Sequence, residues 1–389
     1  AVSQVSEQLI RMITMVLLVY LLVPYGLGRA AAGATFGAVT GSMTGLVVLL
    51  YIYHKKRKNI WSFINEDFTG KNQVQSDNSW RIVKEIAELG IPITFGALVL
   101  PLMTLVDTII VPQRLQIAGY AIEKSTELFG NFAALAMTLV NFPTIITISL
   151  AASLVPAISE AFALRKDRLI CGRTQTGLRL TILVTLPAAT GLFVMAEPLT
   201  TVIFAESAAA IPLRIVAWGV VFIGLQQTSS AILQGIGYTG IPARNLLIGA
   251  ICNGIINYIL TANPVFGIRG AALGTVTGFA IAAFLNLYSV KKYTSFKFEP
   301  VELIFKPLLA VGLMGIITAK GFELVDRLMV NIIPYNYHVS TFLMVAVAVI
   351  IYLIILFSIK SIRYSDLKLI PGVGQRIALI LKKIGLLRE

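Results

Sequence analysis

Charge is scarce in this sequence. Charged residues fill 13% of 389 positions, against about 25% in an ordinary soluble domain. With 57% apolar residues and a mean hydropathy of +0.82, a water-soluble globule is excluded, and so is intrinsic disorder, which needs low hydrophobicity. Cysteine is nearly absent. Cys171 and Cys252 lie 81 positions apart, which gives neither a disulfide framework nor a metal-ligand spacing. Both read as small apolar residues. Histidine is limited to His54 and His338, and the 19 acidic residues are scattered. Catalysis wants clustered acids, histidines or metal ligands, so an enzyme is the weakest functional class. Ala1–Gln8 lacks the basic stretch of a signal peptide. Short alternating segments of the kind that build a membrane β-barrel are also missing.

What the sequence has is long apolar runs. A hydrocarbon core about 30 Å thick needs roughly 20 apolar residues per helix. Ten runs meet that need, at 8–27, 31–53, 91–112, 131–157, 176–196, 211–235, 243–262, 267–290, 301–319 and 338–359. The expected fold class is therefore an all-α polytopic membrane protein. The net charge is +13, and in a bilayer that excess has a direction, because Lys and Arg stay on the cytoplasmic side. The segment after residue 53 opens His54-Lys55-Lys56-Arg57-Lys58. Placing it inside and alternating thereafter puts 25 of the 32 Lys and Arg on the inner side and seven on the outer. The C-terminus is then cytoplasmic.

One block recurs. Gly33-Ala34-Thr35-Phe36-Gly37-Ala38-Val39-Thr40-Gly41 matches Gly270-Ala271-Ala272-Leu273-Gly274-Thr275-Val276-Thr277-Gly278 at six of nine positions. Each copy follows a turn with Pro and an aromatic-Gly pair, Pro24-Tyr25-Gly26 and Pro264-Val265-Phe266-Gly267. Each opens a span running from outside to inside. Small residues recur in membrane helices because they permit close packing, but the shared turn and direction point to a true repeat. Its period is six spans, and an even period gives parallel repeats. On this reading the chain is an N-terminally truncated two-lobed bundle, with ten spans present of an expected fourteen. The expected organisation is 1–53 as the last two spans of one lobe, 54–90 as a cytoplasmic linker with an amphipathic exit, 91–290 as a complete six-span lobe, 291–359 as two additional spans, and 360–389 as an amphipathic tail. With most of one lobe missing, such a chain is not expected to transport alone.

Several segments carry a family resemblance. They are Ala1-Val2-Ser3-Gln4 with Glu7-Gln8 and Arg11; Val106-Asp107-Thr108 with Val111-Pro112-Gln113-Arg114-Leu115; Thr126-Glu127-Leu128-Phe129-Gly130; Leu154-Val155-Pro156-Ala157-Ile158-Ser159-Glu160-Ala161; and Gln234-Gly235-Ile236-Gly237. In this order they resemble the stage V sporulation protein B branch of polysaccharide flippases, in the multidrug/oligosaccharidyl-lipid/polysaccharide (MOP) superfamily. That branch is similar to lipid II flippases of the MurJ type. The resemblance implies a V-shaped, MATE-like two-lobed bundle in the bacterial plasma membrane. Its substrate would be an undecaprenyl-diphosphate-linked glycan, and its role peptidoglycan or spore-cortex synthesis. Composition alone stops at a two-lobed secondary transporter.

Polar residues inside spans are the candidates for function, since a charge at mid-bilayer costs about 2.5–3.5 kcal/mol on insertion scales. Among the acidic residues, Asp107 alone lies well inside an apolar run. It reads as a coupling-ion or proton site, or as a hydrogen-bonded structural Asp. Asn253 and Asn257 are four apart and share a helix face, and Thr275 lies in the next span. The resemblance implies a sodium site among these spans, at Asp107, Asn253, Asn257 and Thr275, although Asn257 stands where those relatives carry an acid. The alternative is that the Asn pair joins helices by hydrogen bonds.

Arg11, Arg114 and Arg214 are candidates to meet a lipid diphosphate, because Arg suits bidentate phosphate contacts. Glu7 with Arg11, at i,i+4, also reads as a structural ion pair. Gln226 and Gln227, with Gln234, could hydrogen-bond sugar or neighbouring helices. Pro101, Pro143, Pro187 and Pro307 interrupt helices and are hinge candidates or static bends. The tail Gln375–Leu387 places Ile377, Ile380, Leu381, Ile384 and Leu387 on one face, as a helix on the inner leaflet or a cytosolic docking site would. The expected partners are the lipid-linked oligosaccharide and anionic membrane lipids, with no nucleic acid. No organic cofactor is expected, and the coupling ion is sodium or a proton. Two rivals remain: a cation-coupled multidrug exporter of the same superfamily, and a membrane-embedded glycan-transferring enzyme.

Overall fold

The computed structural model describes residues 2–68, 79–294, 296, 300–329 and 336–359. The middle of the expected linker and the whole tail, including the amphipathic 375–387, lie outside the described residues. Within them every regular element is helical. In order these are α1 (Val2–Leu22), α2 (Leu27–Phe68), α3 (Ser79–Ile117), α4 (Ile122–Gly130), α5 (Met137–Ala163), α6 (Asp167–Val194), α7 (Ala196–Phe204), α8 (Ala210–Val216), α9 (Gly219–Gly235), α10 (Gly240–Leu260), α11 (Ile268–Thr294), α12 (Lys306–Met329) and α13 (Asn336–Ser358). Nine helical stretches among the described residues are long and apolar enough to cross a membrane. Counting the bent pair Ser207–Val216 and Gly219–Gly235 as one span makes ten.

Every expected span coincides with helix, but several boundaries move for a physical reason. Hydropathy marks where a helix leaves hydrocarbon, whereas the helix ends only where the chain can no longer hydrogen-bond in register. From Leu46 to Phe68 there is no Gly or Pro, so α2 runs 42 residues, well past the expected end at 53. The exit segment Arg81–Gly90 is likewise not a separate element but the first part of α3, 39 residues long. The run 131–157 belongs to a helical stretch over 122–163, in which Asn131–Ala136 forms a π-turn. The run 211–235 is broken: its two halves meet at 46°. Pro101, Pro143, Pro187 and Pro307 all sit within continuous helix, so the backbone break falls at Ala217–Trp218 and not at a proline.

The chain divides into two compact units, Ala1–Ile82 and Val83–Glu389. In the larger unit α5, α6, α8, α9, α10 and α11 pack around two cores, one with Leu213, Val216 and Val220 and the other with Leu154, Ile158, Ile232 and Leu233, each fully buried. Helices α12 and α13 add a satellite core against α6 through Leu186, Met314, Ala348 and Tyr352, and the Tyr352 hydroxyl donates to the Leu183 carbonyl at 2.8 Å. The outside is apolar as well. Phe142, Ile145, Ile146, Ile255 and Ile259 are all more than half exposed. The inside carries Thr, Ser and Asn. That inversion suits a lipid solvent, where burying Leu gains little and interhelical hydrogen bonds and small-residue contacts hold helices together.

The two copies of the repeated block do the same mechanical job. In the smaller unit, a Cβ on Gly37 would meet the Arg11 carbonyl and Met15, and one on Gly41 would meet Arg11 and the Glu7 carbonyl at 2.9 Å. In the larger unit, a Cβ on Gly274 would meet the Asn253 carbonyl and Asn257, and one on Gly278 would meet Asn253 and the Gly249 carbonyl. The glycines of α2 seat α1, and those of α11 seat α10, in one register. Arg11 thus holds in its hairpin the place that Asn253 holds in the other.

Candidate functional site

Asp107 sits about three-quarters of the way along α3 and is 8% exposed. Asn253 and Asn257 lie one turn apart on α10, and both are fully buried. The i,i+4 spacing aims both amides at the same carboxylate. Asn253 Nδ2 donates to Asp107 Oδ1 at 3.0 Å and Oδ2 at 3.3 Å, and Asn257 Nδ2 donates to Oδ1 at 2.7 Å. With their nitrogens committed, the carbonyl oxygens of Asn253 and Asn257 are buried without a partner. Such orphaned acceptors are uncommon in folded interiors and need a reason. Gly274 supplies the room, since any Cβ there would collide with Asn257 Oδ1. Thr275, beside it on α11, is buried and returns its hydroxyl proton to the Ala271 carbonyl at 3.2 Å, leaving oxygen lone pairs for neighbours.

The donor chemistry is specific. One carboxylate and several neutral oxygens balance a single positive charge and suit a hard cation. Among the described residues no three His, Cys, Asp or Glu side chains gather as a transition-metal site would require. A sodium-sized ion would draw on Asp107, Thr275 and the two Asn oxygens once their amides turn over, and a proton would sit on Asp107.

Asp107 and Thr275 face a cavity of 400 Å³ that also meets Thr104, Asn141, Thr144 and both Gln226 and Gln227. Gln226 belongs to a buried polar network. Gln226 Nε2 donates to Ser230 Oγ at 3.1 Å, Asn286 Nδ2 donates to the same oxygen at 3.0 Å, and Asn245 Nδ2 donates to Asn286 Oδ1 at 2.9 Å.

A family model for the lipid II flippase MurJ matches residues 6–339 of this chain. The chain belongs to the MurJ lipid II flippase family. Stage V sporulation protein B of Bacillus subtilis (strain 168) is 30% identical over 380 residues, covering 97% of this chain and 70% of that protein. The lipid II flippase MurJ of the same organism is 26% identical over 325 residues, covering 81% of this chain and 58% of that protein. A solved lipid II flippase MurJ in an inward closed conformation superimposes with a TM-score of 0.52 at 18% identity, covering 89% of this chain and 65% of that one. The flippase family is one of multi-pass membrane transporters acting on lipid-linked oligosaccharides. The expected MOP-type helical fold is therefore the observed one, and the glycan-transferring enzyme drops out.

The structure gathers some of the candidate residues and separates others. Asp107, Thr275, Gln226 and Gln227 meet in one cavity, with Asn253 and Asn257 directly behind the carboxylate. Arg114 and Arg214 do not line that cavity, and each of the three arginines has a protein partner. Arg11 pairs with Glu7 at 2.7 Å, while its Nε is buried without a partner. Arg114 donates Nε to the Tyr258 carbonyl at 2.8 Å and stacks 3.8 Å above the Tyr258 ring. Arg214 meets Glu197 at 3.2 Å with both side chains at least half exposed. Gly274 and the lining residues Thr104, Asn141 and Thr144 were not singled out from the flippase sequence. Gly274 lay in the repeated block, which was the available signal. The threonines had none, because a Thr in an apolar run is ordinarily a helix-packing residue.

Proposed function

We propose that this chain carries the cation-coupled lobe of a flippase that moves an undecaprenyl-diphosphate-linked glycan, a peptidoglycan precursor or related polysaccharide unit, from the inner to the outer leaflet. The observation that carries the reading is the Asp107–Asn253–Asn257 cluster, a buried carboxylate with two orphaned carbonyl oxygens, in a member of the lipid II flippase family. A flippase needs an energy source to favour one leaflet, and a cation site of one net charge couples to both its gradient and the membrane potential. Sodium or a proton at Asp107 would bias an alternating-access equilibrium, by binding one state more tightly than the other. The lipid diphosphate would meet cationic side chains on its way. Arg11, with an uncommitted Nε, is best suited of the three arginines, and Arg114 and Arg214 would have to exchange protein partners. Pro101, Pro143 and Pro187 serve as flex points under this reading.

The protein would reside in a bacterial plasma membrane with its C-terminus cytoplasmic, its basic tail meeting anionic lipids. The likeness to a sporulation protein supports a role in the cell wall of a developing spore. The test is depletion of the gene while the leaflet distribution of undecaprenyl-linked precursors is followed with an impermeant probe. Accumulation on the inner leaflet is expected. An unchanged distribution with impaired drug efflux would transfer the assignment to a cation-coupled multidrug exporter.

A further inference from the structure

The cavity at Asp107 does not end at the glutamines. A second cavity, of 390 Å³, lies on their other side. Ile148, Gln226 and Gln227 line both, so they form the constriction where the two meet. The second cavity continues past Ser230 to Gln234, Thr239 and Pro242. These belong to the end of α9 and the start of α10, the end of the lobe that the Lys and Arg distribution assigns to the inner side.

The lining has one electrostatic character. Among the described residues the lining of both cavities includes no Lys, Arg or His, and Asp107 is its one charged residue. Three of its hydroxyls turn their protons away. Thr104 donates to Leu100 O at 3.1 Å, Thr144 to Asn141 O at 2.7 Å and Thr275 to Ala271 O at 3.2 Å, so each hydroxyl has lone pairs left for the space. Gln226 gives one amide N–H to Ser230 and keeps its side-chain oxygen as an acceptor. Thr147 Oγ1 lies 2.8 Å from the Thr144 carbonyl and 2.5 Å from the Gln227 side-chain oxygen. A hydroxyl has one proton. Given to the Thr144 carbonyl, it lets the Gln227 amide turn over, donate nitrogen to Thr147 and present oxygen to the cavity.

A run of acceptors ending at a carboxylate, walled by apolar helices, attracts a hydrated monovalent cation and repels anions. We propose that the paired cavities are an ion path within the larger unit, joining Asp107 to the inner face, with Gln226 and Gln227 as its constriction. This rests on the cation reading of Asp107 and deepens it: the ion exchanges with the inner side through the lobe itself. The two glutamines are positioning and relay groups for the ion, and sugar recognition falls to other residues.

The test uses the full chain with Cys171 and Cys252 replaced by Ala and a reporter thiol at Gln227→Cys, in sealed membrane vesicles of either orientation. Two impermeant methanethiosulfonates of similar size are applied, one bearing trimethylammonium and one sulfonate. From the inner side the cationic reagent is expected to react at least about tenfold faster than the anionic one, by charge focusing. Sodium should slow it, and adding Asp107→Asn should erase the preference. Equal rates for the two reagents, faster reaction from the outer side, or a preference that survives Asp107→Asn would each overturn the path. A charge preference abolished by Asp107→Asn but indifferent to sodium supports the path and counts against sodium as the bound ion. Gln234→Cys, at the inner mouth, repeats the measurement should Gln227→Cys fail to fold.

Discussion

At the residue scale the site depends on a carboxylate, two amides and an absent side chain. Asp107→Asn keeps the size of the group and one acceptor oxygen for the two amides but removes its charge. Sodium at about tenfold its dissociation constant should stabilise the unsubstituted protein by about 1.4 kcal/mol, read as a rise in melting temperature in detergent. That rise should vanish in Asp107→Asn, and a retained rise would place the ion elsewhere. Gly274→Ala tests the space rather than the charge. Its methyl collides with Asn257 Oδ1, so Asn257 must move. The expected cost is about 1–3 kcal/mol, as for overpacking elsewhere, together with a weakened sodium response. Part of this was legible in the sequence. A charge inside an apolar run marks Asp107, and the i,i+4 spacing puts Asn253 and Asn257 on one face. Their meeting was not, because α3 and α10 are more than a hundred residues apart and hydropathy carries no information on which faces oppose. The identity of Gly274 as the space-giver needed the packing register.

At the element scale, what holds helices together here is polar and small, as expected where lipid competes for apolar surfaces. Arg179 on α6, with a side chain 7% exposed, lies 3.8 Å from Glu302 on the π-turn Val301–Phe305 that precedes α12, and Lys306 lies 3.9 Å from the same glutamate. The arrangement ties the additional pair of helices to the lobe. Arg179→Met removes one of the two cations around Glu302, whereas Glu302→Gln takes the carboxylate from both at once. Glu302→Gln should therefore destabilise more than Arg179→Met, by on the order of 2 kcal/mol, measured by chemical unfolding in micelles. The opposite order would mean the pair is screened. The same polar economy explains what hydropathy could and could not read. Ten runs were enough to find the spans. They could not find the continuation of α2 beyond the membrane boundary, where Lys and Glu are good helix formers, nor the break at Ala217–Trp218, where the residues are as apolar as their neighbours.

At the scale of the whole molecule, orientation governs every functional statement, since it decides which end of the Asp107 path is inner. It rests on 25 of 32 basic residues falling to one side. That asymmetry is spread over five segments, so no single cluster controls it. Lys124, between α3 and α5, is half exposed and belongs to the sparse outer set. Arg168, at the start of α6, is exposed and belongs to the inner one. With the native cysteines replaced by Ala, Lys124→Cys in intact cells should react with an impermeant maleimide and Arg168→Cys only after the membrane is opened. The reverse pattern would invert the lobe. It would turn the acceptor-lined cavities toward the outer side and make them an entry for the coupling ion in place of an exit, while leaving the Asp107 cluster itself intact.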